Sequence, residues 1–421
     1  MRDTFIILSR SQNEQLSANQ GATTYTMATY FLLLSVFLYG TSIPNLSLIC
    51  LILCFPVIFF LQHKRVTVSF LIDASLVFLF AFLYYTMCVL FEITTDDDWL
   101  ESKMMFLIVN MSMAYIIGYF LAQNFKKISA VIAVTVGGLF TYGLLSTSKF
   151  ALDHLGEVAS NDYLIVERAV PSFWNGGIVN GPIIGIFFSL GICLISMVYS
   201  RINLLVKGCF LALALSSVFF NLMLQNRSPI YAGVLSFSLA TLMYVTQMKL
   251  THKKLIIFII VVCLLPLNLF FIDFSETKSL LDNPFMERLI SEGFDTPRYE
   301  LWYKGVLGLF EYPMGGAKTD FSPYDYAHNL WLDVGWYVGW IPMLLLLFIQ
   351  LKHVPYLIRF VRTRPSQSYG VMGISVSFLV AMMVEPTLIA SYTYVTLFFF
   401  FIGYMKGFHL HMDLDGKEGR K

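Results

Sequence analysis

The sequence predicts an all-α integral membrane protein of about twelve transmembrane helices, with one large loop between helices 9 and 10. Three observations carry that prediction. Of 421 residues, 57% are hydrophobic and only 13% are charged, where soluble chains carry about 25% charged residues. Apolar runs of bilayer-spanning length, roughly 17–25 residues, recur along the chain. Lys and Arg alternate between rich and poor connections, as topology requires.

The apolar runs predict spans at 27–43, 45–62, 68–91, 104–122, 128–146, 178–200, 209–225, 229–247, 255–273, 329–350, 371–388 and 391–406. Glu385-Pro386 interrupts the last pair, which reads as one hairpin or as a broken pair. Residues 1–26 are a polar tail rich in Gln, Asn, Ser and Thr. The first apolar run follows without a small-residue cleavage site, so it reads as a retained signal anchor. Helices 1–9 then occupy 27–273, the large loop 274–328, helices 10–12 residues 329–406, and a basic tail 407–421.

Orientation follows from the connections. With both termini cytoplasmic, roughly 19 of the 28 Lys and Arg fall on the inner side, Lys352 and Lys406 among them. The net charge of +1 implies no nucleic-acid partner. The six cysteines, Cys50, Cys54, Cys88, Cys193, Cys209 and Cys263, all sit in or beside apolar runs. They read as small packing residues, neither a disulfide framework nor a metal site.

The outer connections differ in character. "TTDDDWLESK" (94–103) is short and acidic, and 147–177 is of medium length. The 274–328 loop is too long for a passive connector. It carries two helix signals: "DNPFMERLISEG", with Asn283 as cap and Pro284 at the first turn, and "DTPRYELWYKGVLGLFEYPMGG", with Thr296 as cap and Pro297 after it. On a wheel of the second, Glu300, Lys304 and Glu311 share one face, with Glu300 and Lys304 a favourable i,i+4 pair. Arg298 falls opposite, with Trp302 and Leu309. A cation in a first helical turn opposes the helix dipole. Either a bound anion such as phosphate compensates it, or its side chain snorkels to lipid headgroups.

In "DYAHNLWLDVGWYVGWIP" (325–342), a single helix over 323–350 would put His328, Leu332, Gly335 and Gly339 on one narrow stripe. Gly335 and Gly339 form a GxxxG pair that admits a close neighbour. His328 would then face the protein interior at the outer membrane surface. It is either a satisfied packing residue or a neutral imidazole able to take a proton from a hydroxyl. Asn329 and Asp333 occupy the neighbouring stripe. Arg227, in the tight turn "LMLQNRSPIYAGV" (222–234), is an interfacial anchor or a second arginine for a diphosphate. Arg168, in "IVERAVPSFWNGG", is a weaker anion ligand and reads more simply as a solvated charge. Asp96 to Asp98 spell an Asp-x-Asp that can hold a divalent cation, or are merely an acidic outer loop. Glu385, deep in an apolar stretch, is left open between a functional intramembrane carboxylate and a hairpin tip. No GxGxxG, GxxxxGKS, HExxH or GxSxG pattern occurs, nor any internal repeat.

Three ordered signatures, "QNRSPIYAG", "PRYELWYKGVLGLFEYPMGG" and "AHNLWLDVGWYVGWIP", spread over roughly 220–345 of this architecture, resemble the O-antigen polymerase and O-antigen ligase superfamily of bacterial inner membranes. The resemblance implies a metal-independent glycosyltransferase without cofactor, using undecaprenyl-diphosphate-linked oligosaccharide on the periplasmic face. By that analogy Arg227 and Arg298, with Arg168 and Lys304 beside them, bind the diphosphate substrate. His328 acts as or orients the general base, and Asn329 positions it. The implied partners are membrane lipid, the lipid-linked glycan and, in the polymerase case, room for a chain-length-determining co-polymerase. Ligases resemble the chain in His-Asn and a following glycine, supplied by Asn329 and Gly339. The continuation "WIPM" in place of Gly-Thr-x-x-Tyr favours a repeat-unit polymerase. A flippase or other transporter is the third expectation, weighed down by the asymmetric loop and the few charges within spans.

Overall fold

The computed structural model describes residues 26–43, 46–61, 66–93, 98–153, 169–193, 203–223, 298–322, 324, 326–363 and 365–418, with isolated positions 233, 235 and 238. It is nearly all helical. The helices are α1 Thr26–Gly40, α2 Leu46–Leu61, α3 Val68–Leu90, α4 Asp98–Asn124, α5 Ile128–Asp153, α6 Gly181–Cys193, α7 Leu204–Met223, α8 Arg298–Glu311, α9 Leu330–Val338, α10 Trp340–Thr363, α11 Pro365–Val384, α12 Thr387–Ala390 and α13 Tyr392–Glu418. Among the described residues, five stretches are long and apolar enough to cross a membrane: Val68–Leu90, Phe106–Gln123, Ile128–Phe150, Leu204–Asn221 and Trp340–Thr363. Apart from those isolated positions, the spans expected at 229–247 and 255–273 and the loop up to 297 lie outside the described residues.

Two expectations need correction. The fold is not purely helical: Ala169–Pro171 (β1) and Ile178–Asn180 (β2) pair antiparallel, Val170 opposite Val179. This hairpin is pinned through two neighbouring residues of its turn. Phe173 N–H donates to Ser146 Oγ at 3.1 Å, and Trp174 Nε1 donates to the Thr41 carbonyl at 2.8 Å. Nor is 323–350 one helix. Gly339 has φ +81° and parts α9 from α10, a backbone conformation that costs glycine alone nothing. Its missing Cβ also leaves room for the Pro313 carbonyl.

The core is built around α4 and α13. Gly118 of α4 stands against the Phe400 backbone, and Gly403 and Gly407 of α13 stand against the Tyr115 and Tyr119 carbonyls. A Cβ at any of the three would strike backbone, so small residues set this close approach. On the flank of α4, α3 presents Phe70, Asp73, Val77, Phe80, Ala81, Tyr84 and Cys88 as one buried stripe at helical spacing. Thr67 caps α3 by accepting from Phe70 N–H at 3.1 Å. Cys50, Cys54 and Cys88 are free and buried, and Cys209 is free and exposed.

α8, an amphipathic helix, packs on α9. Leu309 fills the space over Gly335, and Leu332 and Ala327 pack over Gly305. The turn after α8 then closes the C-terminus of α9: Gly316 N–H donates to the Tyr337 carbonyl at 2.9 Å and Ala317 N–H to the Trp336 carbonyl at 3.0 Å. Those carbonyls have no partner within α9 itself. The loop segment is therefore fixed directly on the helix that follows His328.

Candidate functional site

His328 stands at the turn entering α9, with φ +53°. That left-handed conformation is uncommon outside glycine and favours Asn, Asp and His among the rest. The turn is held from both sides. Asn329 caps α9, its Oδ1 accepting from Leu332 N–H at 3.2 Å. Asp333 reaches back one turn, accepting from Ala327 N–H at 2.8 Å and Asn329 N–H at 3.0 Å. The i,i+4 spacing of Asn329 and Asp333 thus serves as a reciprocal cap rather than as a stripe.

Asn329 also reaches across the fold. Its Nδ2 donates to the Met383 carbonyl at 3.2 Å. Met383 lies two residues before Glu385, where α11 ends and Pro386 cannot continue it. The side chain of Glu385 is only 3% exposed, and it resolves two discomforts together. Arg298 sits at the positive end of α8, and Glu385 follows the negative end of α11, each on the wrong side of a helix dipole. They meet: Arg298 Nη2 is 2.8 Å from Glu385 Oε1. The anion that Arg298 calls for is supplied by the chain, although its side chain keeps 28% exposure.

The second oxygen of Glu385 faces His328, with Nδ1 3.8 Å from Oε2. Nδ1 is shut off from solvent and has no hydrogen-bond partner among the described residues. The side chain as a whole is 24% exposed. The exposed part of the side chain therefore lies away from Nδ1. Tyr324 and Tyr326 meet the ring edge-on, with centroids 6.2 and 5.6 Å away. Below it, Asp333 shares a wall with Tyr84 of α3, Leu330, Pro386 and Leu388.

Of the residues expected to bind substrate or act in catalysis, Arg298, His328 and Asn329 are brought together. Lys304 is not: it pairs with Glu300 at 2.9 Å on the solvated side of α8. Arg227, Arg168 and Asp96 lie outside the described residues. Glu385 is the residue that sequence reasoning left undecided. Its signal was a carboxylate before a proline inside an apolar run.

A second polar cluster lies within the spans, and the sequence reading missed it. Asp73 of α3 is 1% exposed in its side chain and lies 2.5 Å from Lys352 Nζ of α10. It also pairs with Lys406 Nζ of α13, which donates as well to Ser69 O at 2.7 Å and Ser69 Oγ at 2.8 Å. His353 Nδ1 donates to the Ile349 carbonyl at 2.7 Å, which fixes its tautomer when neutral. The Tyr115 hydroxyl stands between His353 Nε2, at 3.1 Å, and Asp73 Oδ2, at 3.4 Å. Lys352 and Lys406 were assigned to inner connections, but their ammonium groups turn inward to Asp73. The available signal was Asp73 itself, in an otherwise apolar span.

No protein-family model and no curated protein matches the chain.

Proposed function

We propose that this chain is a membrane-embedded glycosyltransferase of the bacterial inner membrane. It transfers growing glycan from undecaprenyl diphosphate onto a lipid-linked repeat unit on the outer face, with both termini cytoplasmic. The observation that carries the reading is the meeting of Arg298 and His328, from separate parts of the loop, on the buried carboxylate of Glu385. A diphosphate leaving group gains negative charge in the transition state, and an arginine preorganised beside it acts where that charge develops. The remaining guanidinium donors of Arg298 serve that role, with Arg227 as the second cation. His328 takes the acceptor hydroxyl proton through the open edge of its ring.

The test is a lipopolysaccharide gel from a strain lacking the protein, complemented with the natural chain or with His328→Ala. Lipid A core carrying a single repeat unit in the null supports a polymerase. Bare core with polymer stranded on the carrier supports a ligase. A normal ladder in the null refutes both. His328→Ala is expected to resemble the null, since loss of a general base costs about 10²–10⁴-fold in rate.

Transport of a lipid-linked oligosaccharide is the second reading, and the buried Asp73 cluster favours it. Ionisable groups inside spans mark ion and substrate paths. Accumulation of lipid-linked repeat units on the cytoplasmic side of the null strain would single it out.

A further inference from the structure

We infer that Glu385 is the positioning residue for His328, holding the imidazole through Nδ1 so that Nε2 is the atom presented to the acceptor hydroxyl. This rests on the glycosyltransferase reading for the identity of the acceptor, and on geometry alone for the pairing. Glu385 lies 87 residues from Arg298 in sequence, yet the two are in contact. That ion pair leaves Oε2 directed toward the solvent-excluded Nδ1 of His328 at 3.8 Å. The gap is longer than a hydrogen bond, as is common for catalytic pairs before substrate is bound.

Two backbone tethers keep the partners in register. Asn329 ties the His328 turn to Met383, next to the end of α11. The Glu385 N–H donates to the Ala381 carbonyl at 3.0 Å, so the residue still closes the last turn of that helix. The carboxylate therefore has a fixed origin, one side committed to Arg298 and the other facing the ring. A carboxylate at Nδ1 selects the tautomer with its proton there and leaves the Nε2 lone pair outward.

The step balances without a further reactant. The acceptor hydroxyl gives its proton to Nε2 as its oxygen forms the bond to the anomeric carbon. The bond from that carbon to the diphosphate oxygen breaks, and its electron pair leaves with the diphosphate beside Arg298. Glu385 takes no proton; it faces the imidazolium that forms and stabilises it until the proton passes to solvent.

The test uses the full chain in lipid nanodiscs, with ¹⁵N-labelled histidine and the His328 signals assigned by their loss in His328→Ala. At mildly alkaline pH the natural chain is expected to show the Nδ1–H tautomer at His328. Glu385→Gln is expected to lose that preference and Glu385→Asp to keep part of it. Arg298→Gln disturbs the same packing and is expected to retain the Nδ1–H signal, because the buried carboxylate then has His328 as its neighbouring donor. An unchanged tautomer in Glu385→Gln, or its loss in Arg298→Gln with retention in Glu385→Gln, overturns the proposal. Turnover of an undecaprenyl-diphosphate-linked repeat unit is read in the same preparations. Glu385→Gln is expected to lower kcat on the order of 10²–10⁴-fold with KM changed little. A tautomer that depends on Glu385 in a chain without turnover supports the pairing and refutes the glycosyltransferase reading alone.

Discussion

Asn329 uses both ends of its amide, one to cap α9 and one to hold the Met383 carbonyl. The two bonds make opposite demands on a replacement. Asn329→Asp keeps the capping oxygen and loses the donor; Asn329→Ala loses both, at a cost of about 1 kcal/mol for the cap. Thermal melts in detergent are expected to rank the natural chain above Asp and Asp above Ala, with activity falling in the same order. Equal melts for all three would show that the cap contributes nothing. Lys304 gives the contrasting case. Its partner Glu300 is 69% exposed in its side chain, and exposed i,i+4 pairs contribute only about 0.3–0.5 kcal/mol. Lys304→Ala is expected to leave both stability and activity close to those of the natural chain. At this scale the sequence exposed the exceptional residues, a cation in a first helical turn and a histidine before a helix. It did not expose their shared partner. Nothing in local spacing says that residue 385 returns to residue 298, because that meeting is a product of tertiary packing.

Among elements, hydropathy marks the stretches that are helical among the described residues. It failed where the backbone departs from a regular helix. Hydropathy runs straight through Gly339, and only the positive φ and the docked turn after α8 reveal the break. The α4–α13 contact was equally hidden, since it depends on which carbonyl each glycine faces. Gly403→Leu is expected to force the two helices apart at Tyr115. The consequence is a lower melting temperature and poor accumulation in the membrane, while Gly208→Leu, whose Cβ direction is open, is expected to behave as the natural chain does. Similar behaviour in the two variants would refute this account of the packing. The Asp73 network ties α3, α4, α10 and α13 together by charge. Asp73→Asn leaves two ammonium groups without their carboxylate, and removing one partner of a buried pair costs about 3–5 kcal/mol. The double variant Asp73→Asn/Lys406→Met is expected to recover part of that loss, and strictly additive losses would show that the pair is not coupled.

For the whole molecule, the two polar clusters sit at different levels along α3. Tyr84 of α3 adjoins the His328 site through Asp333, and Asp73 lies about three turns away along that helix. The charge bias along the chain predicts that the His328 site lies across the membrane from the cytoplasm. Membrane-impermeant thiol labelling of intact spheroplasts checks this, in a background where Cys209 is replaced by serine. Lys304→Cys is expected to react from outside and Arg362→Cys only after the membrane is opened. The reverse pattern would invert the topology and count against the proposed glycan transfer.

The sequence separation within the Asp73 network bears on how the chain is made. Lys406 follows Asp73 by 333 residues. At synthesis rates of about 5–20 residues per second, the aspartate is incorporated roughly 17–67 s before Lys406. Until Lys352 of α10 is made, α3 carries an unneutralised acid near its start, at an insertion cost of up to the roughly 2.5–3.5 kcal/mol that an Asp incurs at a span centre. A nascent chain of this kind needs shelter at the lateral gate of the translocon or beside an insertase until α10 and α13 arrive. A ribosome that stops short of α13 should accordingly yield a product that membrane-protein quality control degrades, even though its apolar segments could each insert.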